Sequence, residues 1–438
     1  MQFTPKTLLM LGPLAVVAAC SAPSYGPPPV SVLEESAINA PVAAPEVLAA
    51  PVLVDSAPSV IERRIVKPAP APTPQVSAGV LTAGDIDDTL NLARFLRYQD
   101  EASETLGWRA AALDAPIMAQ LRGPSGAPAP GVRFTLRKPG EADPFYDGYS
   151  GVDGRITVFP RALGAGRPRQ IELHAFPEAG GPAVAAQLQT GTGRQVVTLP
   201  SENAWSPDFM DLVFVIDATG SMGDELKWLS EEIGQISRAA RTAAPGVDIR
   251  YGLVVYRSPG DPQPVRNYGF TNNINQFTSW VAAQNAWGGA GGPEMVAHAL
   301  DEAVQLNWRR GKGERLLFQI GDEPPRAWHA GRYYSAAETA AANGIQVFGL
   351  AASGTEASLE YLMRQGSVMT GGRYLFLTDD SGVGLSHAEP TISCYQVTRL
   401  NDLMIRVLRS ELSGRRVEAP AADVIREVGS YQGGICRD

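Results

Sequence analysis

One stretch decides the fold: residues 212–222 read LVFVIDATGSM. Its first five residues are continuously apolar, as in a strand that is covered on both faces of a sheet. Apolar residues then recur at three- and four-residue spacing from Leu226 to Ile236, which predicts a helix. A buried strand, a polar turn and an amphipathic helix in this order are typical of doubly wound α/β proteins.

The same alternation of strand and helix continues downstream. Apolar runs predict further strands at 249–256, 316–320, 345–350 and 374–377. Helical spacing lies between them, and the last helix contains Leu400, Met404 and Leu408. This part of the chain is therefore predicted to form a doubly wound sheet, whose sites lie beyond the carboxyl ends of the strands.

Oxygen-bearing side chains follow the first of these strands at alternate positions. Asp217, Thr219 and Ser221 occupy one tight loop, and Asp322 ends a later strand that faces the same crevice. Ligands that are all oxygen suit a hard ion such as Mg²⁺, Ca²⁺ or Mn²⁺ rather than zinc. The alternative is that Thr219 and Ser221 cap the following helix, while backbone groups satisfy Asp217.

The motif Asp-x-Thr-Gly-Ser-Met at 217–222, with a later strand ending in Asp322, resembles the metal-ion-dependent adhesion site of von Willebrand factor type A (VWA) domains. The Asp-Glu-Pro-Pro segment at 322–325 is similar to a loop of bacterial members. The resemblance covers residues 210–412. It implies a Rossmann-like VWA domain, assigned here to residues 206–415.

The resemblance also implies a site chemistry. Asp217, Thr219, Ser221 and Asp322 would hold one divalent cation, Mg²⁺ in the first place and Ca²⁺ or Mn²⁺ as alternatives. A partner protein would offer an acidic residue to the open position of this ion. The expected activity is binding and not catalysis, and no small-molecule cofactor is expected.

One element departs from the VWA pattern. The family takes another ligand, usually Thr or Asp, from a loop that here reads WGGAGGPE at 287–294. Residues 288–292 have no side-chain oxygen, because they are glycines and an alanine. A water molecule, a backbone carbonyl or, as the least favoured choice, Glu294 is expected to replace the missing ligand.

Two segments precede this domain. Residues 81–105 are predicted to be a short helical segment, with the acidic residues of 85–88 capping its start and a calcium site as the alternative. Residues 106–205 show period-two alternation, which predicts a small all-β sandwich. The stretch 151–160 resembles Ig-like or transthyretin-like modules of secreted bacterial proteins.

The N-terminus has the pattern of an export signal. Lys6 is followed by an apolar run over 8–17, which is short for a membrane span. The sequence Val-Ala-Ala-Cys at 17–20 resembles the lipobox of bacterial lipoproteins, which implies a signal peptide at 1–19 and a lipid on Cys20. The alternative is an ordinary cleavable signal with an incidental cysteine.

The resemblance to lipoproteins sets the expected location. Ser21 is not the aspartate that retains many such proteins at the inner membrane, so a lipid-anchored protein of the bacterial outer membrane is expected. Residues 20–80 are rich in Pro and Ala and are expected to form a disordered tether.

If Cys20 carries the lipid, Cys394 and Cys436 remain, and they can bridge in an oxidising compartment. That bridge would tie down a C-terminal tail at 416–438. Two unconnected thiols are the alternative.

Composition argues against other classes of protein. The net charge is −9 and the basic residues are scattered, which disfavours a nucleic-acid partner. None of the four histidines lies in an HExxH motif, and no GxSxG motif is present. The loop 379–389, which contains His387, could form a second site, but its composition also fits a structural loop.

The sequence therefore predicts a membrane-anchored, metal-dependent protein-binding module of the bacterial cell envelope. An envelope hydrolase or maturation factor, or a purely structural envelope protein, is the alternative.

Overall fold

The computed structural model describes residues 81–178, 182–289, 292–352, 354–381 and 390–437. The predicted signal peptide, Cys20 and the tether at 20–80 lie outside these residues, as does His387. Among the described residues, no helix combines the length and the apolar character that crossing a membrane requires.

The strands are numbered here in chain order. They are β1 Thr82–Ile86, β2 Ile117–Arg122, β3 Arg133–Arg137, β4 Tyr146–Tyr149, β5 Arg155–Val158, β6 Gln170–Phe176, β7 Val184–Gln189, β8 Gln195–Thr198, β9 Phe209–Asp217, β10 Asp248–Tyr256, β11 Val265–Thr271, β12 Gly313–Gly321, β13 Gln346–Ala351, β14 Tyr374–Thr378, β15 Tyr395–Arg399, β16 Arg426–Val428, β17 Tyr431–Gln432 and β18 Ile435–Cys436.

The α-helices are α1 Leu92–Leu106, α2 Gly223–Ala243, α3 Ile274–Ala282, α4 Val296–Val304, α5 Ala330–Ala342, α6 Ala357–Thr370 and α7 Leu400–Ser413. Short 3₁₀ helices lie at Val152–Gly154, Gly220–Met222, Ala327–His329, Asp379–Ser381 and Ala421–Asp423.

A large mixed sheet organises most of the described chain, in the order β11-β10-β9-β12-β13-β14-β1-β15-β16. Within the central run β10-β9-β12-β13-β14, adjacent strands are parallel to each other. Pairs that involve β11, β1, β15 or β16 are antiparallel. The predicted α/β class with a Rossmann-like parallel centre is therefore confirmed.

Strand β9 shows why its sequence is apolar throughout. Leu212, Phe214 and Ile216 pack on one face, in the core that α2, α3 and α7 cover. Val213 and Val215 pack on the other face, in the core beneath α4, α5 and α6. Both faces of the strand are shielded from water, so every side chain gains from being apolar.

The strand order also creates the crevice that was expected. The chain runs from β9 to β10 on one side and returns to place β12 on the other side of β9. Strands β9 and β12 are parallel, with Ile216 opposite Ile320 in register, so their carboxyl ends lie side by side. Such a switch in strand order leaves an open crevice where ligands bind.

The segment predicted to be helical from residue 81 contains a strand. Strand β1 lies between β14 and β15 and is antiparallel to both. Helix α1 begins only at Leu92, and no side chain caps its start. Asn91 instead binds the C-terminal tail: its Nδ2 donates to the Gly434 carbonyl and its Oδ1 accepts from the Cys436 N–H. The helix-capping interpretation of the acidic cluster is therefore wrong.

The acidic residues of this cluster form buried ion pairs. All three aspartates are nearly inaccessible to solvent. Their partners are arginines from distant segments: Asp85 pairs with Arg373 and Arg406, Asp87 with Arg155 and Arg416, and Asp88 with Arg364. The cluster joins β1 to the sandwich, to helices α6 and α7, and to the C-terminal tail. Removal of one partner would leave a buried charge uncompensated, which is costly.

The region between α1 and β9 is a sandwich of two small sheets. One has the order β5-β2-β8 and the other the order β4-β3-β6-β7. The predicted all-β module is present, although β2 and β8 are parallel to each other. Inward residues alternate along the strands, and the core contains Val132, Phe134, Leu136, Ile171 and Leu173.

The C-terminal tail returns to the large sheet. Strand β16 pairs with β15, and a disulfide joins Cys394, just before β15, to Cys436 in β18. The bridge closes a segment of 42 residues and fixes the tail beside β1.

Candidate metal centre

The loop after β9 gathers the three residues of the first motif. Asp217 ends the strand and is fully buried. Its Oδ1 accepts a hydrogen bond of 2.8 Å from the Thr219 N–H. The hydroxyl oxygens of Thr219 and Ser221 are 3.4 Å apart, so the motif presents its oxygens to one region.

Two further carboxylates complete the cluster. Asp322 follows the end of β12, on the strand next to β9. Glu294 lies just before helix α4, and its N–H donates to the Pro324 carbonyl at 2.9 Å. One carboxylate oxygen from each of Asp217, Glu294 and Asp322 lies within 4.8 Å of the other two, and all three residues are buried.

Glu294 is the site residue that sequence reasoning placed last. A water molecule or a backbone carbonyl was favoured over Glu294 as the replacement ligand, and Pro293 was expected to lie at the start of a helix. Helix α4 begins at Val296, however, so Glu294 lies in the preceding loop. Its bond to the loop after β12 turns its side chain toward Asp217. The sequence signal that could have identified Glu294 as a ligand is its position directly after the Gly-rich loop and Pro293.

The cluster lacks a compensating charge. Asp217 Oδ2, Glu294 Oε2 and Asp322 Oδ1 are buried atoms without a hydrogen-bond donor. Burial raises the pKa of Glu294, and the facing Asp217 carboxyl raises it further. Burial also raises the pKa of Asp217, as does the charge of Asp322. Within the described part of the chain, no lysine or arginine forms an ion pair with these groups, although the charges of Arg257 and Asp217 interact. Ionisation of all three carboxyl groups is therefore costly without a bound cation.

The donor set fits a divalent metal ion. It consists of three carboxylates and two hydroxyls, which are the ligands of hard ions such as Mg²⁺, Mn²⁺ and Ca²⁺. The residues that would hold such an ion are Asp217, Thr219, Ser221, Glu294 and Asp322.

The Gly-rich loop packs closely on the motif. The Gly288 carbonyl accepts a 3.2 Å hydrogen bond from the Gly220 N–H. At Gly289, φ is +65°, and an added Cβ would lie 2.7 Å from the Thr219 Cβ. A larger residue there would strain the backbone and displace Thr219. Glycine is therefore required at this position by both conformation and space.

Arg257 holds the two loops together. Its guanidinium donates to the Ala218 carbonyl, to the Trp287 carbonyl at 2.9 Å and to the Asn285 carbonyl at 2.7 Å. The Trp287 N–H also donates to the Ala218 carbonyl. These bonds fix the loops in one arrangement, which lowers the cost of ordering them when a ligand binds.

The second candidate loop has a structural contact. Asp380 accepts two hydrogen bonds, of 2.8 and 3.0 Å, from the Arg426 guanidinium. This bidentate pair attaches the loop to strand β16. His174 lies on the sandwich, 3.9 Å from a Glu172 oxygen and apart from this loop.

Two comparisons with known proteins match the part of the chain that contains the candidate site. The model of the von Willebrand factor A domain matches residues 211–353. The chain is also similar to the alpha-protein kinase vwkA of Dictyostelium discoideum, with 23% identity over 215 residues. That match covers 47% of this chain and 34% of the relative, so it spans about a third of the relative's length. The matched residues 211–353 include most of β9, all of β12 and the five oxygen-bearing side chains, and this part of the chain is similar to von Willebrand factor A domains.

Proposed function

We propose that this protein is a metal-dependent protein-binding module. VWA domains commonly mediate protein–protein interactions, and the buried carboxylate cluster of Asp217, Glu294 and Asp322 supports metal dependence here. A divalent cation, Mg²⁺ in the first place, would supply an open coordination position for an acidic residue of a partner protein. The five oxygen-bearing side chains of the site would hold the ion and so determine the direction in which its open position points.

The single observation behind the proposal is the uncompensated negative charge. Three buried carboxylates without a cationic partner are unfavourable unless the site binds a cation or retains protons. A structural cluster would be expected to contain an arginine, as the acidic cluster at 85–88 does. The acidic cluster at 85–88 has arginine partners and the carboxylates of the candidate metal site have none, and this difference favours a binding site.

Calorimetric titration tests the metal site. The full chain is titrated with MgCl₂, MnCl₂ and CaCl₂, and Asp217→Ala is compared with Asp208→Ala, which alters an exposed carboxylate near the start of β9. We expect metal-dependent heat with a Kd of about 0.1–1 mM in the wild type and in Asp208→Ala. Asp217→Ala should give none. A wild type without metal-dependent heat at millimolar concentrations would contradict the proposal.

We also propose the cell envelope as the place of action. The lipobox-like sequence that ends in Cys20 and the Pro-rich segment after it support a lipid anchor in the bacterial outer membrane. Growth with labelled palmitate should label the wild-type protein and not Cys20→Ser. Equal labelling of both proteins would refute the anchor and leave the binding proposal unaffected.

Catalysis is not part of the proposal. The relative is named as a kinase, but the match covers only a third of it. The bidentate pair of Asp380 with Arg426 gives Asp380, at the start of the second candidate loop, a structural contact.

A further inference from the structure

Two exposed tryptophans lie on the loops that carry the metal-site residues. Trp287 is 49% exposed and directly precedes the Gly-rich loop that leads to Glu294. Trp328 is 72% exposed and follows Asp322 by six residues. The large apolar side chains exposed among the described residues are these two, Val196 and Ile435. Exposed tryptophans beside a binding site are frequent anchors of protein interfaces.

Trp287 is held in place by its surroundings. Its backbone bonds to Ala218 and to Arg257, and the Arg257 guanidinium lies 4.7 Å from the centre of the indole ring. A cavity of about 280 Å³ opens beside the indole, with Pro262 and Gln284 in its lining. The cavity can accept one or two side chains of a partner. Because the indole is already held in place, little free energy is lost in ordering it when the partner binds.

Trp328 is also held in place by neighbouring side chains. It lies in the 3₁₀ helix Ala327–His329, and the Arg326 guanidinium is 5.2 Å from its ring centre. The His329 ring contacts it on one side, at 6.0 Å, and packs against His298 at 4.6 Å. The two tryptophans therefore have similar surroundings, with an arginine stacked on each indole.

The charges around the metal centre indicate the chemistry of a partner. The guanidinium groups of Arg257 and Arg326 each lie over an indole ring. If an apolar side chain of a partner packs on one of these indoles, the partner residues next to it lie close to a positive charge. Asp261 lines the cavity beside Trp287, and Glu323 directly follows Asp322 in the sequence. A segment with an apolar side chain and an adjacent carboxylate would match both the indoles and the arginines.

We propose that Trp287, Trp328 and the metal centre form one surface, which binds an extended polypeptide segment with an acidic residue beside an apolar one. This inference rests on the proposed function and specifies its partner. The carboxylate would be directed to the metal site, and the apolar side chain would pack on one of the indoles.

A displayed library of random peptides tests the inference. The full-length wild type is immobilised in 5 mM MgCl₂, and bound peptides are eluted with EDTA and sequenced. Synthetic peptides from the selection are then titrated by fluorescence anisotropy against three proteins: wild type, the double variant Trp287→Ser/Trp328→Ser, and Val196→Ser. The last variant is a matched control, because Val196 is an exposed apolar residue of the sandwich.

We expect eluted peptides that contain Asp or Glu within three residues of an aromatic or aliphatic side chain. The double variant should lose at least tenfold in peptide affinity and retain its calorimetric affinity for Mg²⁺, whereas Val196→Ser should stay within twofold of the wild type. Acidic peptides without apolar neighbours, equal binding by the double variant, or no enriched peptide would each overturn the inference.

The same experiment separates this inference from the proposed function. EDTA-sensitive binding that ignores both tryptophans would refute the tryptophan surface and leave metal-dependent binding intact. A wild type that shows no calorimetric binding of Mg²⁺ would contradict the proposed function before any peptide is tested.

Discussion

Replacement of Glu294 by glutamine should stabilise the metal-free protein. Glu294 faces Asp217 and Asp322 within 4.8 Å, and none of the three has a cationic partner. At an effective dielectric constant of about 20, each pair of charges at that distance repels by about 3 kcal/mol. In the metal-free protein at pH 8, Glu294 either stays ionised against this repulsion or takes up a proton that the unfolded chain lacks, and both cost free energy. Glu294→Gln avoids both costs and keeps the size of the side chain. The free energy of unfolding should therefore rise by about 3 kcal/mol at pH 8.

The gain should depend on pH in a defined direction. Burial holds the pKa values of Asp217 and Glu294 in the folded protein above those of the unfolded chain. The stability that comes from their protonated forms is therefore complete below about pH 4 and is lost as the pH rises through the raised pKa values. The advantage of Glu294→Gln should thus be small at pH 5 and large at pH 8.

Thermal unfolding in EDTA measures this difference. At pH 8 the variant should melt on the order of 5 °C above the wild type. Addition of 10 mM MgCl₂ should stabilise the wild type by about 1.4 kcal/mol if the Kd is near 1 mM, and the variant by less. Glu302→Gln, which alters an exposed glutamate of helix α4, serves as the control and should behave as the wild type.

Two results would refute the reasoning. The first is a variant that is less stable than the wild type in EDTA at both pH values, because that would make Glu294 a structural residue. The second is an equal Mg²⁺-induced shift in both proteins, because that would place the ion elsewhere.

Three more substitutions test other parts of the structure. Arg364→Met should lower the free energy of unfolding by about 3–5 kcal/mol in chemical denaturation, because Asp88 keeps a buried charge; Asp88→Asn in the same chain should restore part of the loss. Gly289→Ala should weaken Mg²⁺ binding at least tenfold by calorimetry with a smaller loss of stability. Replacement of Cys394 and Cys436 by serine should cost about 2–4 kcal/mol, and dithiothreitol should then leave the melting temperature unchanged.

The parts of the fold that were predicted correctly have local signals. The run at 212–216 is apolar because each face of β9 meets a layer of helices, and this requirement is visible in five consecutive residues. The motif at 217–222 combines a carboxylate with two hydroxyls at the end of that strand. Such patterns depend on neighbours in sequence, so a single chain reveals them.

Strand β1 could not be predicted in the same way. Its sequence, Thr-Ala-Gly-Asp-Ile, contains residues that disfavour strands, and its acidic residues resemble the start of a helix. The strand forms because β14 and β15 supply hydrogen bonds on both sides, and because arginines such as Arg373 and Arg406 pair with Asp85. These partners lie about 290–320 residues away, beyond the reach of any local pattern.

Glu294 was the least favoured of the three replacement ligands for a related reason. Residues 293 and 294 follow a Gly-rich loop and precede an apolar helical face, which favours the first turn of a helix. The position of the glutamate is decided by its backbone bond to Pro324, in a loop that is distant in sequence. The assembled crevice therefore raises Glu294 from the last of three candidates to a member of the carboxylate cluster.

The position of β1 inside the large sheet has a consequence for how the chain folds. Residues 82–86 are synthesised early, but β14 and β15, which flank them, appear almost 300 residues later. The sandwich and strands β9 to β13 can assemble first, whereas closure of so long a loop is slow. Until β1 inserts, β14 and β15 present open edges. We expect this interval to favour strand exchange, in which the β1 segment of one chain completes the sheet of another.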